Sequence, residues 1–262
     1  MYEETKRFRA NGYFILENII DHSLLDSIIY LISKRFTLIT GIKFKEEVLI
    51  NGKLSEEFED NIINFRLNDP EKFGFLYDSI QSSVNLSQLL LNNDLIQNAC
   101  KITGYPSEDY STSGHIQRID PPTDKKNLYE WHQETSYYRQ NKDGNGCFFI
   151  WIPLFDVNEE NGTVIIAKSS HKKGYINTEL IKNEKLGSEQ RNIDDDLVKD
   201  CELINLNMKK GDACLIDFNT MHKSGHNKTK HVRFTAIGRY HFSQTKHFRP
   251  FRYKFMYNDL NV

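Results

Sequence analysis

Two histidines and a carboxylate are the residues of this chain best suited to chemistry. Trp131-His132-Gln133-Glu134 places an imidazole and an acid two positions apart. In an extended strand alternate side chains share a face, so His132 and Glu134 would project together as two legs of a metal site. Alone the triplet carries little weight, because a histidine in a strand is more often a satisfied structural residue. His222 lies ninety residues further on, just past an apolar run at 213–217 that reads as a strand. The three together make a 2-His-1-carboxylate set, which leaves open positions on the metal and marks non-heme Fe(II) oxygenases. Zinc with a bound water is the rival metal. Arg233 opens another apolar run, where a buried charge needs a partner. Its guanidinium fork suits a carboxylate such as the distal end of 2-oxoglutarate, and Ser224 adds a hydroxyl two residues after His222. A salt bridge at a strand end is the plainer alternative for Arg233.

The elements that must position these groups follow from periodicity. The first hundred residues read mostly as helices. Asp21 caps a segment in which Leu24, Leu25, Ile28, Ile29, Leu31 and Ile32 recur at helical spacing. Asp69-Pro70-Glu71 opens a second helix with a cap, a proline and an early acid. A third runs from Asn93 to a stop at Gly104. Beyond Gly104 the runs become short, aromatic and β-branched. Strands are predicted at 115–119, 129–134, 147–154, 163–167, 203–206, 213–217 and 233–242, with turn signals such as Asp143-Gly144-Asn145-Gly146 between them. Many short strands predict a sandwich or barrel. The fold class is α+β with a mainly β core. A single domain over 1–262 is expected, with a helical part at 1–104 packed outside a β core at 105–245. The polar stretch 175–200 reads as an exposed insertion over the site.

Composition narrows the function. The chain has 262 residues, 39% of them hydrophobic and 12% aromatic, with 34 basic and 36 acidic side chains. It is long enough to bury a core without staples. The near-zero net charge of -2 offers no basic surface for nucleic acid and no anionic-membrane footprint. No run approaches the ~20 apolar residues of a membrane span, and the charged start lacks the apolar core of a signal peptide. Cys100, Cys147, Cys201 and Cys214 form no paired motif and read as free thiols in a reducing, cytoplasmic setting. Oligomeric state has no signature. Tyr137-Tyr138-Arg139 is a candidate substrate mouth, and the basic, aromatic stretch 246–262 is a candidate interface. His226 and His231 lie in a lysine-rich turn and read as solvated.

The ordered set of motifs resembles the phytanoyl-CoA dioxygenase family. The resemblance runs from Phe8 and Gly12-Tyr13-Phe14-Ile15-Leu16, through His132-Gln133-Glu134, to Trp151-Ile152-Pro153-Leu154 and Glu160-Asn161-Gly162-Thr163. It continues through Ser170-His171-Lys172-Lys173-Gly174 and Gly211-Asp212 to His222, Ser224, Asn227, Arg233 and Tyr240. It implies a double-stranded β-helix, or jelly roll, with Fe(II) at its mouth and 2-oxoglutarate and O2 as cosubstrates. It further implies His132, Glu134 and His222 as iron ligands, Arg233 and Ser224 as holders of the oxoglutarate C5 carboxylate, and Trp151 and Tyr129 as lining of the cosubstrate pocket. Gln117, on the strand before, is read either as a contact to cosubstrate or substrate or as an ordinary strand amide. One departure stands out: the family's usual acid is Asp, and here it is Glu134. Related halogenases replace the acid with a small residue, so a carboxylate points away from halogenation and to hydroxylation or a related oxidation. The expected substrate is a small metabolite, such as a sugar or a carrier-linked intermediate. A jelly-roll protein that binds without catalysis, or a cupin-like isomerase or hydrolase with zinc or manganese, are the competing readings.

Overall fold

The computed structural model describes residues 3–122, 124, 126–138, 141, 143–183, 188–245 and 248–249. The chain opens with α1 (Glu3–Asn11), β1 (Tyr13–Leu16) and α2 (His22–Thr40), then a small hairpin of β2 (Leu49–Ile50) and β3 (Lys53–Leu54). Four helices follow: α3 (Glu56–Asn68), α4 (Pro70–Gln81), α5 (Val84–Leu90) and α6 (Asn93–Thr103). The remaining strands are β4 (Tyr110–Asp120), β5 (Phe148–Pro153), β6 (Val164–Ala167), β7 (Ile181–Asn183), β8 (Ser188–Gln190), β9 (Leu203–Asn205), β10 (Ala213–Asp217), β11 (His222–Ser224) and β12 (Arg233–Phe242).

Helix boundaries fall where side-chain chemistry puts them. Asp21 accepts from the Ser23 N–H at the start of α2, Asp69 from Lys72 at α4, and Asn92 from Leu95 at α6. Gly104 ends α6 with φ 85°, donating its N–H to the Cys100 carbonyl.

Five strands form one antiparallel sheet in the order β1-β10-β5-β12-β4, and three form a second in the order β11-β6-β9. The apolar run Phe-Phe-Ile-Trp-Ile-Pro of β5 has no polar face because both its faces are covered. Phe148, Ile150 and Ile152 pack into the helical layer, together with Leu25, Ile28, Leu76 and Leu89. Phe149 and Trp151 point the other way, onto Ile166 of the smaller sheet and Leu206. Strand β10 divides likewise, Ala213 and Leu215 facing the helices and Cys214 and Ile216 the second sheet. The helices therefore cover the outer face of the large sheet, and the space between the sheets is left for the site.

Tyr13–Leu16 is an edge strand paired with β10. Two sequence expectations are corrected. Residues 129–134 do not form a strand: a single bridge at His132 is followed at once by a 3-10 turn, Glu134–Ser136. Within 175–200, the described residues are exposed only in part. Ile193 and Val198 are buried with Trp131, Ala167 and Met221, and Ile193 donates its N–H to the Trp131 carbonyl at 2.7 Å. All four cysteines are unpaired. No helix among the described residues is long and apolar enough to cross a membrane.

Candidate metal centre and its pocket

His132 and His222 meet across the mouth of the two sheets. Each donates its backbone N–H to the other's carbonyl, at 3.0 and 3.1 Å, and their ring centroids lie 4.2 Å apart. Gln133 is extended (φ −120°, ψ 142°) and turns its side chain away from the pair. There its amide nitrogen donates to the carbonyls of Asn219 (2.6 Å) and Gly174 (2.9 Å), and its oxygen accepts from the Ile176 N–H (2.9 Å). This bolt fixes the loop, so His132 and Glu134 emerge on one side although no strand carries them. Ser170 accepts from the Met221 N–H at 2.8 Å and holds the chain next to His222.

Both imidazoles are oriented by a backbone carbonyl. His132 Nδ1 lies 2.7 Å from the Glu130 oxygen and His222 Nδ1 2.9 Å from the Thr220 oxygen. A carbonyl only accepts, so both Nδ1 atoms carry the proton and both Nε2 atoms present a lone pair. His132, Glu134 and His222 each offer one ligand atom, and these atoms lie within 4.8 Å of one another. All three residues are buried. Burial pushes His132 down to about 3, with His222 adding to the shift, and burial also lowers His222. Neutral imidazoles are what a cation requires. For Glu134 burial alone would favour the neutral acid, but the Arg239 guanidinium outweighs it and holds the carboxyl below its ordinary range. Arg239 donates from Nε to Oε2 at 2.7 Å and from Nη2 to Oε1 at 3.4 Å. Two neutral imidazoles and a charged carboxylate at this spacing fit a mononuclear iron site.

The cluster forms one wall of a cavity of about 140 Å³ between the sheets. Tyr129, Trp151, Ser224 and Arg233 all line it. The Ser224 hydroxyl accepts from the Tyr129 N–H at 3.2 Å. Arg233 does not stand free: its Nη2 donates to Asp120 at 2.9 Å. The same carboxylate receives Nε and Nη2 of Arg118, both at 3.0 Å. Burial opposes the charge on Asp120, but the two guanidiniums hold its carboxyl below the usual range. Burial and the nearby Arg118 both weaken the proton affinity of Arg233, yet an arginine stays charged. Two cations sharing one anion leave a net positive charge facing the cavity.

Gln117 is not part of this lining. Ile116 and Arg118 on either side of it face the cavity, and Gln117 faces the helices, where its N–H donates to the Gln81 side chain at 2.7 Å. Sequence reasoning also passed over Arg118, Asp120 and Arg239. Positions 233 and 239 have the same parity along one strand, so a second arginine on the pocket face was available as a signal. Above the cavity, the Tyr137 hydroxyl accepts from the Arg191 N–H at 2.7 Å, and Arg191 donates to the Thr178 carbonyl at 2.6 Å. Tyr137 and Tyr138 line the cavity. Arg139, and the stretch 246–262 apart from Phe248 and Arg249, lie outside the described residues.

Known proteins share this fold. The non-heme monooxygenase ThoJ in its apo form superposes with a TM-score of 0.60 at 14% identity, over 92% of this chain and 77% of that one. The epimerase SnoN, solved with Fe3+, alpha ketoglutarate and nogalamycin RO, gives 0.59 at 14% identity, over 90% and 81% of the two chains. EctD from S. alaskensis, solved with 2-oxoglutarate and 5-hydroxyectoine, gives 0.58 at 16% identity, over 95% and 82%. At such identities the likeness is one of fold. The family model for phytanoyl-CoA dioxygenase (PhyH) matches residues 8–235, and the chain belongs to that family.

Proposed function

We propose that the protein is an Fe(II)- and 2-oxoglutarate-dependent oxygenase that hydroxylates a C–H bond of a small metabolite. The reading rests above all on one observation: two lone-pair Nε2 atoms and a charged carboxylate oxygen converge on the wall of a cavity that also holds an under-neutralised arginine pair. His132, Glu134 and His222 would hold the iron, whose chemistry when bound is the coupling of 2-oxoglutarate decarboxylation, with O2, to oxidation of a second substrate. Arg233 and Ser224 would take the C5 carboxylate of 2-oxoglutarate, with Tyr129 and Trp151 as apolar walls. The carboxylate at position 134 supports hydroxylation over halogenation. Two antiparallel sheets around one mouth support the jelly-roll reading and a single working domain. The aromatic lining, including Tyr77, Tyr137, Tyr138 and Phe149, keeps water from the reacting centre.

The test is succinate formation from 2-oxoglutarate with added Fe(II), in air and without it. Oxygen-dependent and iron-dependent succinate that disappears in His132→Ala is the expected result. Failure of the protein to bind 2-oxoglutarate in the presence of Fe(II) would discard the oxygenase reading in favour of a binding protein.

A further inference from the structure

We propose that Arg239 is a positioning residue that decides which oxygen of Glu134 faces the metal. This rests on the metal-site reading above and extends it to a residue outside the three ligands. A glutamate has one more rotatable bond than an aspartate, so its carboxylate needs an external restraint to be held in one orientation. Among the described residues, Arg239 is the one side chain that donates to this carboxylate. The grip is uneven. Nε approaches Oε2 to 2.7 Å, and Nη2 stands 3.4 Å from Oε1. Oε1 in turn lies 3.9 Å from His222 Nε2, on the side of the imidazoles. The guanidinium therefore occupies Oε2 and leaves Oε1 to act as a single-oxygen ligand.

Arg239 is itself held on three sides. Its Nη1 donates to the Gly114 carbonyl, its guanidinium carbon lies 4.6 Å from the centre of the Tyr138 ring, and both it and Glu134 have side chains only 6% exposed. The Gly114 carbonyl reaches it because the β4–β12 register shifts between Ile237 and Arg239. A planar fork fixed at both ends transmits that rigidity to the acid.

Anaerobic titration with Co(II), as a stable stand-in for Fe(II), tests the proposal on wild type, Arg239→Gln, Arg239→Lys, Glu134→Asp and Glu134→Asp/Arg239→Gln. Removing a partner that orients a ligand weakens metal binding about 10- to 100-fold, and this is expected for Arg239→Gln, with a smaller loss for Arg239→Lys. The visible spectrum of bound Co(II) should change with it, as the carboxylate loses its fixed orientation. In the Glu134→Asp background, the acid is a methylene short of the fork, so Arg239→Gln should cost much less. Circular dichroism and the unfolding midpoint verify the fold of each variant, and Arg239→Lys carries the test if Arg239→Gln fails to fold. Wild-type Co(II) affinity in both Arg239 variants, or an equal loss in the aspartate background, would overturn the positioning role alone. Absence of Co(II) binding by the wild type would remove the metal reading and this proposal with it.

Discussion

His132 and His222 are joined by a two-way backbone bridge, each donating to the other's carbonyl, and each ring is turned by the carbonyl two residues before it. The pair is thus assembled by main-chain hydrogen bonds that survive truncation of either side chain. His132→Ala and His222→Ala should fold and yet lose the metal. Iron content after anaerobic reconstitution is expected to fall below detection in both, with the far-UV spectrum unchanged. Retention of one iron per chain in either variant would remove that residue from the site.

Arg118 and Arg233 share Asp120, and all three side chains are at most 12% exposed. Removing the shared anion strands two buried cations, which costs about 3–5 kcal/mol. Asp120→Asn should therefore lower the denaturation free energy by that order, as read in urea. Arg233→Ala removes one cation and relieves the crowding, so it should cost less stability. Its main effect should be a 2-oxoglutarate affinity roughly 10-fold or more weaker, the size of a lost charge-assisted bond. An unchanged affinity would take Arg233 out of cosubstrate binding.

Two histidines away from the metal cluster set a pH dependence. Burial, helped by Arg239, pushes both His115 and His241 from 6.5 down to about 4. Between those values the unfolded chain holds protons that the folded one excludes, so stability must fall as pH falls and level off above 6.5. Each histidine contributes a slope of roughly 1 kcal/mol per pH unit in that window. Urea unfolding at pH 7, 6 and 5 measures the slope, and a His115→Asn/His241→Asn variant should reduce it, the buried His132 and His222 supplying part of what remains. Equal slopes in variant and wild type would assign the effect to other groups.

Gly114 sits at the register shift with φ 60°, where a side chain is strained, and an added Cβ would meet Tyr138 Cε1 at 2.6 Å. Gly114→Ala should cost at least about 1–2 kcal/mol from the backbone conformation alone. Because Tyr138 packs on Arg239, the same variant should also weaken metal binding. Full metal affinity in a destabilised Gly114→Ala protein would show that Tyr138 adapts without moving Arg239.

Much of the site was legible because residue type and spacing pick out its members, even where the strand expected to carry them is absent. His132, Glu134, His222, Ser224 and Arg233 could be named before any fold was known, and the structure gathers all five around one cavity. The helices of Asp21, Asp69 and Asn93 were legible because caps are local chemistry. Of the two readings of Gln117, the strand amide is the one that fits, because its neighbours Ile116 and Arg118, and not Gln117, occupy the pocket face. Which face of a strand turns inward depends on the layer that packs against it. The predicted strand at 129–134 failed for a similar reason: its apparent alternation comes from a bridge to His222 and a bolt through Gln133, both formed with distant residues.

The sequence by itself therefore determined which two histidines and carboxylate could act together, the change from helical to β texture at Gly104, and membership of the family. Only the tertiary structure decided that Arg118 and Arg233 share Asp120 and that Arg239 holds Glu134. Those pairings join residues as much as 113 positions apart, between Asp120 and Arg233. Charge complementarity at that separation is set by sheet register, and register is fixed by packing across the whole sheet rather than by any local run of residues.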